Sequence, residues 1–431
     1  MPRPNARAKA AEMLDRVVFD QRSLDRILAE AVLADEDRAF IHELLYGCVR
    51  YYYSLAGEVQ GRLHTPLKPR DSIVFCLLLV GVYQLRHLRV PQYAAVNETV
   101  SAVEHVGRPW ARGLVNRLLR RAASEGPLPP QTDQQALDHP EWLIRLLKRD
   151  LPDDWRAVLE ASLTRAPLAL RVNLTRIKRD AYLERLATIG ATAQPTDIDE
   201  GLVLRDTIPA AQIPGFADGA VSVQDVSAMW PARLLQPTGP ERVLDACAAP
   251  GGKSMHLLER DPRIALTALD VDDERCATLR SECARCGVDP AIVVCGDATR
   301  LDWWDRRPYD AILLDAPCSG TGTLRRHPDI KLLKRESDIA QYRQLQGELL
   351  KNLWKVLAAG GRLLYCTCSV LSAENDSVVD DFITYTPSAR VRSLAIPDSI
   401  ETRYGRQLLP KIGGGDGFYF ALIEREHRID Q

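Results

Sequence analysis

The stretch Ala311-Ile-Leu-Leu-Asp-Ala-Pro-Cys-Ser-Gly320 decides the fold of this chain. Its apolar run predicts a buried strand that ends on Asp315, breaks at a proline and then presents the thiol of Cys318. The later stretch Arg362-Leu-Leu-Tyr-Cys-Thr-Cys-Ser369 ends in the same way, on Cys368. Two strands that each end on a cysteine indicate a cleft in which two thiols meet.

The surrounding sequence predicts a sheet that holds both strands. From residue 236 onward, apolar strand candidates alternate with helical stretches. The predicted strands are Arg242–Cys247, Ile264–Val271, Ala291–Gly296, Ala311–Asp315 and Arg362–Cys368, with helices near 252–260, 273–286 and 337–358. This alternation favours the α/β class, a doubly wound and mostly parallel sheet. For the apolar run Phe418-Tyr-Phe-Ala-Leu-Ile423 near the end, we expect an antiparallel edge strand.

The remaining sequence divides by composition and periodicity. Residues 1–126 repeat apolar side chains at helical spacing and predict an all-α domain. A proline- and glutamine-rich linker follows at 127–138, and short strand candidates around a helix predict a small α+β domain at 139–235. The α/β domain then occupies residues 236–431.

Charge is distributed unevenly along the chain. The net charge of the 431 residues is only −2, which excludes a protein whose whole surface attracts nucleic acid. From Met1 to Arg121, however, 18 lysines and arginines stand against 13 acids, and no acid lies between His105 and Ser124. The basic residues within that gap are Arg108, Arg112, Arg117, Arg120 and Arg121. They suit a phosphate backbone, although a solvated helix face explains them equally well.

Targeting signals and cysteine usage indicate the compartment. Met1 to Asn5 carries no apolar signal region, and the longest apolar run, Ile73 to Leu85, is too short to span a bilayer. We therefore expect a cytoplasmic protein without a membrane partner. Ten cysteines in a cytosolic chain are expected to be free thiols.

The loop after the first α/β strand has the composition of a cofactor site. Its residues are Cys247, Ala248, Ala249, Pro250, Gly251, Gly252 and Lys253, and they open a helix. Small side chains let a ligand approach the backbone and the helix N-terminus. Asp270 closes the next strand 19 residues after Gly251, near the spacing at which an acid binds ribose hydroxyls. Asp297 closes the third strand and is placed to reach an adenine amino group.

The same loop also resembles two other kinds of site. Gly252-Lys-Ser254 fits the end of a phosphate-binding P-loop, but the glycine required five residues earlier is Cys247. A dinucleotide site requires G-x-G-x-x-G, which is incomplete here. S-adenosylmethionine has no phosphates to bind, so the sequence favours it over ATP and NAD.

The two strand-end cysteines are candidates for nucleophilic chemistry. In a doubly wound sheet their strands are neighbours, so the thiols of Cys318 and Cys368 should converge. A thiolate is a nucleophile, and positive charge favours it. Arg325, Arg326 and His327 follow Cys318 and are able to supply that charge. The alternative is that both are buried structural cysteines; Cys366 is a rival that lies deeper in its strand.

A second group of cysteines carries a weaker signal. Cys283-Ala-Arg-Cys286, together with Cys276, is half of a metal-binding pattern. No second Cys or His pair lies near it in sequence, and the segment is typical of a helix. We therefore expect no metal.

These motifs together resemble a known family. Asp315-Ala-Pro-Cys-Ser-Gly-Thr-Gly322, Thr367-Cys-Ser369 and Cys247-Ala-Ala-Pro-Gly-Gly-Lys253 are similar to motifs of the Sun/Fmu/RsmB family of RNA (cytosine-5) methyltransferases. Further matches are Arg326-His-Pro-Asp-Ile-Lys331, Gln224-Asp-Val-Ser227 and Arg171-Val-Asn173. The resemblance covers essentially the whole chain and implies that residues 1–126 form a NusB-like RNA-binding domain.

The resemblance also implies roles for the site residues. S-adenosyl-L-methionine would bind Cys247 to Lys253, Asp270, Asp297 and Asp315. Cys368 would attack C6 of a cytosine in small-subunit (16S) ribosomal RNA, and Cys318 would assist release of the product methylated at C5. Asp315 would face both cofactor and base. The expected substrate is free ribosomal RNA or an early assembly intermediate, and the expected oligomeric state is a monomer.

Two alternatives from other classes remain open besides an ATPase. A non-catalytic RNA- or protein-binding factor would need only the helical domain, but the cofactor motifs are intact. A methyltransferase acting on an exocyclic amine would be expected to carry an Asn/Asp-Pro-Pro-Tyr loop, where this chain has Asp315-Ala-Pro-Cys318.

Overall fold

A computed structural model describes residues 5–205, 208–289 and 292–427 of the chain. Met1 to Pro4 and Ala291, at the start of one predicted strand, lie outside the described residues. The chain forms two compact units: Met1–Arg165 with Leu324–Glu336, and Ala166–Thr323 with Ser337–Gln431. Within the described ranges, no helix is long and apolar enough to cross a membrane.

The first unit is all-helical, as predicted for residues 1–126, and it also takes in residues 127–165, for which the sequence predicts a linker and the start of the α+β domain. Its helices before residue 165 are α1 (Ala6–Val18), α2 (Leu24–Glu30), α3 (Asp35–Arg50), α4 (Tyr52–Arg62), α5 (Ser72–His87), α6 (Gln92–His105), α7 (Arg112–Glu125), α8 (Asp133–Leu137), α9 (Glu141–Asp150) and α10 (Trp155–Ser162). Helix α5 is buried from Val74 to Gln84 and packs against α1, α3, α4, α6 and α7. An all-round apolar helix is the expected centre of such a unit.

The basic stretch of the first unit is partly neutralised by acids outside it in sequence. Arg112 pairs with Glu104, Arg121 with Glu125, and Arg108 with Asp71. Arg117 and Arg120 are exposed on α7. The face is therefore less basic than the count of arginines indicates.

The second unit begins with a small antiparallel sheet. Its strands are β1 (Ala169–Val172), β2 (Ala193–Pro195), β3 (Gly201–Leu204) and β4 (Val221–Val223), in the order β2-β3-β1-β4, with helix α11 (Arg179–Ala187). Leu170, Tyr182 and Leu202 are fully buried in its core. This is the predicted small α+β fold.

The large sheet of the second unit contains β5 (Arg242–Ala246), β6 (Ala265–Asp270), β7 (Val293–Cys295), β8 (Tyr309–Asp315), β9 (Leu357–Thr367), β10 (Ala389–Arg392), β11 (Ile400–Glu401), β12 (Arg406–Leu408) and β13 (Phe418–Arg425). The helices between residues 230 and 384 are α12 (Trp230–Leu235), α13 (Gly252–Arg260), α14 (Asp273–Cys286), α15 (Ile330–Leu333, in the first unit), α16 (Glu336–Val356) and α17 (Asp376–Thr384). The strand order is β11-β12-β13-β9-β8-β5-β6-β7, and β10 also pairs with β13. Strands β5 to β9 are mutually parallel, which confirms the predicted fold class.

The prediction of an edge strand at 418–423 is wrong in one respect. Strand β13 is antiparallel to β9, as expected, but β12 and β10 also pair with it. It is buried from Phe418 to Ile423. A continuous apolar run is typical of an interior strand, because both of its faces are covered. The short segments that form β10 to β12 carry too weak a pattern to be found in the sequence.

The segment Leu324–Glu336 builds part of the first unit. The ammonium of Lys331 donates to the backbone carbonyl of Asp138 at 2.7 Å, and Tyr53 donates to the carbonyl of Lys331 at 3.1 Å. The carboxylate of Asp329 accepts from the backbone N–H of Leu24 at 3.0 Å. Burial lowers the pKa of Lys331 to about 7. The motif Arg326-His-Pro-Asp-Ile-Lys331 therefore helps to stabilise the helical unit.

Candidate active site

The site lies where the parallel strands of the large sheet end. Strands β8 and β9 are neighbours, with Asp315 opposite Cys366, and β5 lies on the other side of β8. Ligands of such sheets bind beyond the carboxyl ends of the strands. The predicted residues at the ends of β5, β6, β8 and β9 therefore share one edge.

The loop between β5 and α13 has a backbone that only small residues allow. Gly251 has a φ of +110°, and a Cβ there would lie 2.5 Å from the Cδ1 atom of Leu279. The Gly251 N–H donates to the carbonyl of Ala248 at 2.9 Å, and Asp270 accepts from the N–H of Ala249 at 3.0 Å. The carboxylate of β6 thus helps to shape the loop that follows β5.

The small sheet also supports this loop. Arg171 on β1 is fully buried, pairs with Glu259 at 2.7 Å, and donates to the carbonyl of Gly252 at 2.7 Å. It also donates to Gln224, whose amide donates to the carbonyl of Ala228 at 3.0 Å. Through these contacts, Arg171 and Gln224 stabilise the loop between β5 and α13.

A cleft of about 90 Å³ opens beside the loop. It is lined by Cys247, Leu269, Asp270, Val271, Arg275, Gly296, Asp297, Ala298, Thr299, Pro317, Leu345 and Leu349. Asp270 and Asp297 are the two carboxylates, and Arg275 pairs with Asp270 at 3.3 Å. Carboxylates accept from hydroxyls and amines, and apolar side chains suit a purine ring. This donor set fits the ribose and adenine of S-adenosylmethionine better than a phosphate.

Two predicted site residues that do not line this cleft, Lys253 and Asp315, pair with each other. Lys253 lies 2.6 Å from Asp315, whose other oxygen accepts from the thiol of Cys366 at 3.6 Å. Burial opposes the charge of Lys253, but Asp315 outweighs it, so the pKa of Lys253 lies above its usual value. Because the lysine is committed to Asp315, it does not serve as the free phosphate ligand of a P-loop.

The two strand-end thiols meet, as expected from the sequence. The Sγ atoms of Cys318 and Cys368 are 3.4 Å apart, and both residues are half-buried. Cys366, by contrast, is fully buried. The pKa of the Cys318 thiol is raised, first by its hydrogen bond to Cys368 and then by burial. Two thiols in contact therefore favour a state in which one keeps its proton.

One feature of the site was missed in the sequence. The carboxylate of Glu374 is fully buried and accepts from Ser319 and Ser369, the residues that follow the two cysteines. In the sequence, Glu374 is only an acidic residue shortly after Cys368, and its spacing matches no motif. A buried acid next to a turn is visible only once the fold is known.

Comparison with known proteins gives three family matches. Residues 4–124 match the NusB family, residues 139–211 the RsmF/B-like ferredoxin-like domain, and residues 232–424 the 16S rRNA methyltransferase RsmB/F family.

Individual relatives match along the whole chain. A ribosomal RNA small subunit methyltransferase B from Pseudomonas putida is 42% identical, over 97% of this chain and 98% of that protein. A probable ribosomal RNA small subunit methyltransferase B from Coxiella burnetii is 39% identical, over 97% and 99%. A solved methyltransferase homolog from Pyrococcus horikoshii is 26% identical with a TM-score of 0.56, over 66% of this chain and 99% of that one.

The Rossmann-like sheet and its strand-end loop define the class of protein, a methyltransferase. Within that class, the chain belongs to the RsmB/F family, alongside the ribosomal RNA small subunit methyltransferases B. The resemblance inferred from the sequence motifs is thereby confirmed.

Proposed function

We propose that this chain transfers a methyl group to C5 of a cytosine in 16S ribosomal RNA, through a covalent bond between Cys368 and C6. The observation that carries the proposal is the pair of thiols 3.4 Å apart at the ends of two parallel strands. The names of its relatives support ribosomal RNA as the substrate. The cytoplasmic location, the free or partly assembled RNA substrate and the monomeric state stay predictions.

The cofactor is proposed to lie against the β5–α13 loop, with Asp270 and Asp297 accepting from its ribose and adenine. S-adenosylmethionine, when bound, supplies the methyl group. Gly251 lets the ligand approach the backbone, and Lys253 holds Asp315 in place. Asp315 is proposed to accept a hydrogen bond from the exocyclic amine of the cytosine and so to position the base.

Cys368 is the proposed nucleophile. Its thiolate forms a bond to C6, and the electron pair of the C5–C6 double bond then makes C5 nucleophilic. After C5 has taken the methyl group, a base must remove the C5 proton. The pair left by that proton restores the double bond as the bond from C6 to sulfur breaks, which returns the Cys368 thiolate.

Cys318 is proposed to take the C5 proton. The hydrogen bond with Cys368 is the largest cause of the raised pKa of Cys318. When the sulfur of Cys368 is bonded to C6, it no longer carries a proton or a negative charge. Its effect on the pKa of Cys318 then weakens. Cys318 can then lose its proton and act as the base, which explains why two thiols are useful.

Transfer of a labelled methyl group to 16S ribosomal RNA tests the proposal. We expect one cytosine to become 5-methylcytosine, detected by bisulfite sequencing. Methylation at an exocyclic amine, or at another kind of base, would overturn the proposed chemistry. RNA labelled without any dependence on Cys368 would overturn the covalent step.

A further inference from the structure

The carboxylate of Glu374 ties together the two loops that carry the thiols. It lies in a turn between β9 and α17 and is fully buried. Its Oε1 atom accepts from the N–H of Ser319 at 2.7 Å. Its Oε2 atom accepts from the hydroxyls of Ser319 at 2.5 Å and Ser369 at 2.6 Å. Because these serines directly follow Cys318 and Cys368, one side chain fixes both strand ends.

The surrounding contacts keep this arrangement rigid. Gln346 on α16 donates to Glu374 at 3.4 Å, and the hydroxyl of Tyr365 donates to the backbone carbonyl of Glu374 at 2.5 Å. Asn375 donates to the carbonyl of Ser369 at 3.0 Å. Groups from three segments of the chain therefore hold the carboxylate and the loop that it binds.

The partners of the carboxylate indicate that it is ionised. The groups that reach its two oxygens are all donors, and the Ser369 oxygen accepts from the N–H of Leu371, which leaves its own proton for Glu374. Burial raises the pKa of Glu374 above its usual value, and the hydrogen bonds from Ser319 and Ser369 oppose that rise. A carboxylate held by several hydrogen bonds keeps its charge more readily than one without them.

The charge of the Glu374 carboxylate acts on the thiol of Cys318. The titratable groups beside it are Cys318, Cys368 and Tyr365. The negative charge of Glu374 is among the causes that raise the pKa of Cys318, after the contact with Cys368 and burial. The charge of Glu374 thus favours the protonated form of the Cys318 thiol.

We propose that Glu374 is a positioning residue: through Ser319 and Ser369 its carboxylate holds the thiols of Cys318 and Cys368 in contact, and it places a negative charge beside Cys318. The contribution of Glu374 to catalysis rests on the proposed function. The effect on thiol reactivity does not, because it is expected in the protein without RNA or cofactor.

Alkylation by iodoacetamide, mapped by mass spectrometry, measures how fast each of the two thiols reacts. In the unmodified full-length protein, we expect Cys368 to react faster than Cys318 between pH 7 and 9. Glu374→Gln preserves the size of the side chain and removes its charge. We expect the ratio of the two rates to fall about tenfold, the effect of about one pKa unit.

Asp376→Asn is the matched control. Asp376, two residues further on, accepts from Thr402 at 2.8 Å, Arg403 at 2.9 Å and Tyr419 at 2.6 Å. The same loss of a hydrogen-bonded carboxylate there should leave the ratio of alkylation rates unchanged. An unchanged ratio in Glu374→Gln, or an equal fall in both variants, would overturn the inference.

The serines test the positioning itself without removing the charge. Diamide oxidises two thiols to a disulfide and takes up their two electrons and two protons. Ser319→Ala and Ser369→Ala should each slow formation of the Cys318–Cys368 disulfide about fivefold, the effect expected from one lost hydrogen bond. Unchanged rates in both variants would overturn the positioning role, even if Glu374→Gln failed to fold.

Methyl transfer by the same variants separates the two proposals. We expect Glu374→Gln to lower kcat and leave the KM for S-adenosylmethionine unchanged. If its alkylation ratio falls while kcat is unchanged, the inference about Glu374 stands and the catalytic roles of the thiols fail.

Discussion

The ten cysteines of this chain include two groups with opposite surroundings in the same unit. Cys318 and Cys368 are half-buried at the ends of neighbouring strands, and their thiols touch. Cys276, Cys283 and Cys286 lie on one face of α14, buried within an apolar cluster. Spacing in sequence made the second group resemble half a metal site. Among the described residues, no group of three or more His, Cys, Asp or Glu side chains is arranged to hold a metal.

The difference between the two groups is one of position rather than residue type. A thiol on the buried face of a helix packs as a small apolar side chain. A thiol just beyond a strand end meets substrates that bind at the carboxyl edge of the sheet. The following predictions test whether this difference separates reactive from structural cysteines.

Cys368→Ala should have the largest effect. Without the proposed attacking thiol, methyl transfer to 16S ribosomal RNA should fall by at least about 10³-fold. The affinity for S-adenosylmethionine, measured by calorimetry, should stay near that of the unmodified protein, because Cys368 does not line the cleft proposed to bind the cofactor. Retention of full activity would show that the thiol pair is structural.

Cys318→Ala should block turnover rather than the first transfer. The substitution removes the proposed base that frees the enzyme, so we expect multiple turnovers to slow by about 10²-fold. Methyl transfer in the first turnover should still occur, and a rapid-quench experiment measures it separately. If the first transfer is lost as well, Cys318 acts before the methyl group moves.

The pH dependence of alkylation should separate the two groups of cysteines. Burial raises the pKa of Cys286 to about 11. At pH 8 only about one thiol in a thousand would then be ionised, and this fraction grows tenfold for each unit of higher pH. Iodoacetamide should therefore modify Cys368 well before Cys286 in the folded protein. Equal rates at pH 8 would contradict the distinction.

Cys283→Ala should have the smallest effect on activity. The residue is fully buried on α14, so its truncation should cost about 1 to 2 kcal/mol in the free energy of unfolding. Methyl transfer by the folded variant should stay within about twofold of the original rate. Denaturant titration and the methylation assay, run on one preparation, check both values.

Much of the fold was predictable because its signals are local. Apolar runs ending on Asp315 and Cys368 give strands, and their alternation with helices gives a parallel sheet whose strand ends share an edge. The juxtaposition of the two thiols follows from that topology alone. The same reasoning misplaced β13 at an edge, because the short strands beside it have too few residues to show a pattern.

The parts of the site that escaped prediction depend on contacts between distant segments. Glu374 meets Ser319 only because β8 and β9 are neighbours, and Arg171 reaches the cofactor loop from the small sheet. The partner of Lys253 was likewise hidden, since 62 residues separate it from Asp315. Neither an ion pair between distant residues nor a buried carboxylate that binds two loops has a periodic signature in the sequence.

The most direct test of the account is the identity of the residue that bonds to RNA. Cys318→Ala should be incubated with 16S ribosomal RNA and S-adenosylmethionine, digested, and analysed by mass spectrometry. We predict a methylated cytosine bonded to the sulfur of Cys368. An adduct on Cys366, or a turnover-deficient Cys318→Ala protein that forms no adduct, would contradict the central claim.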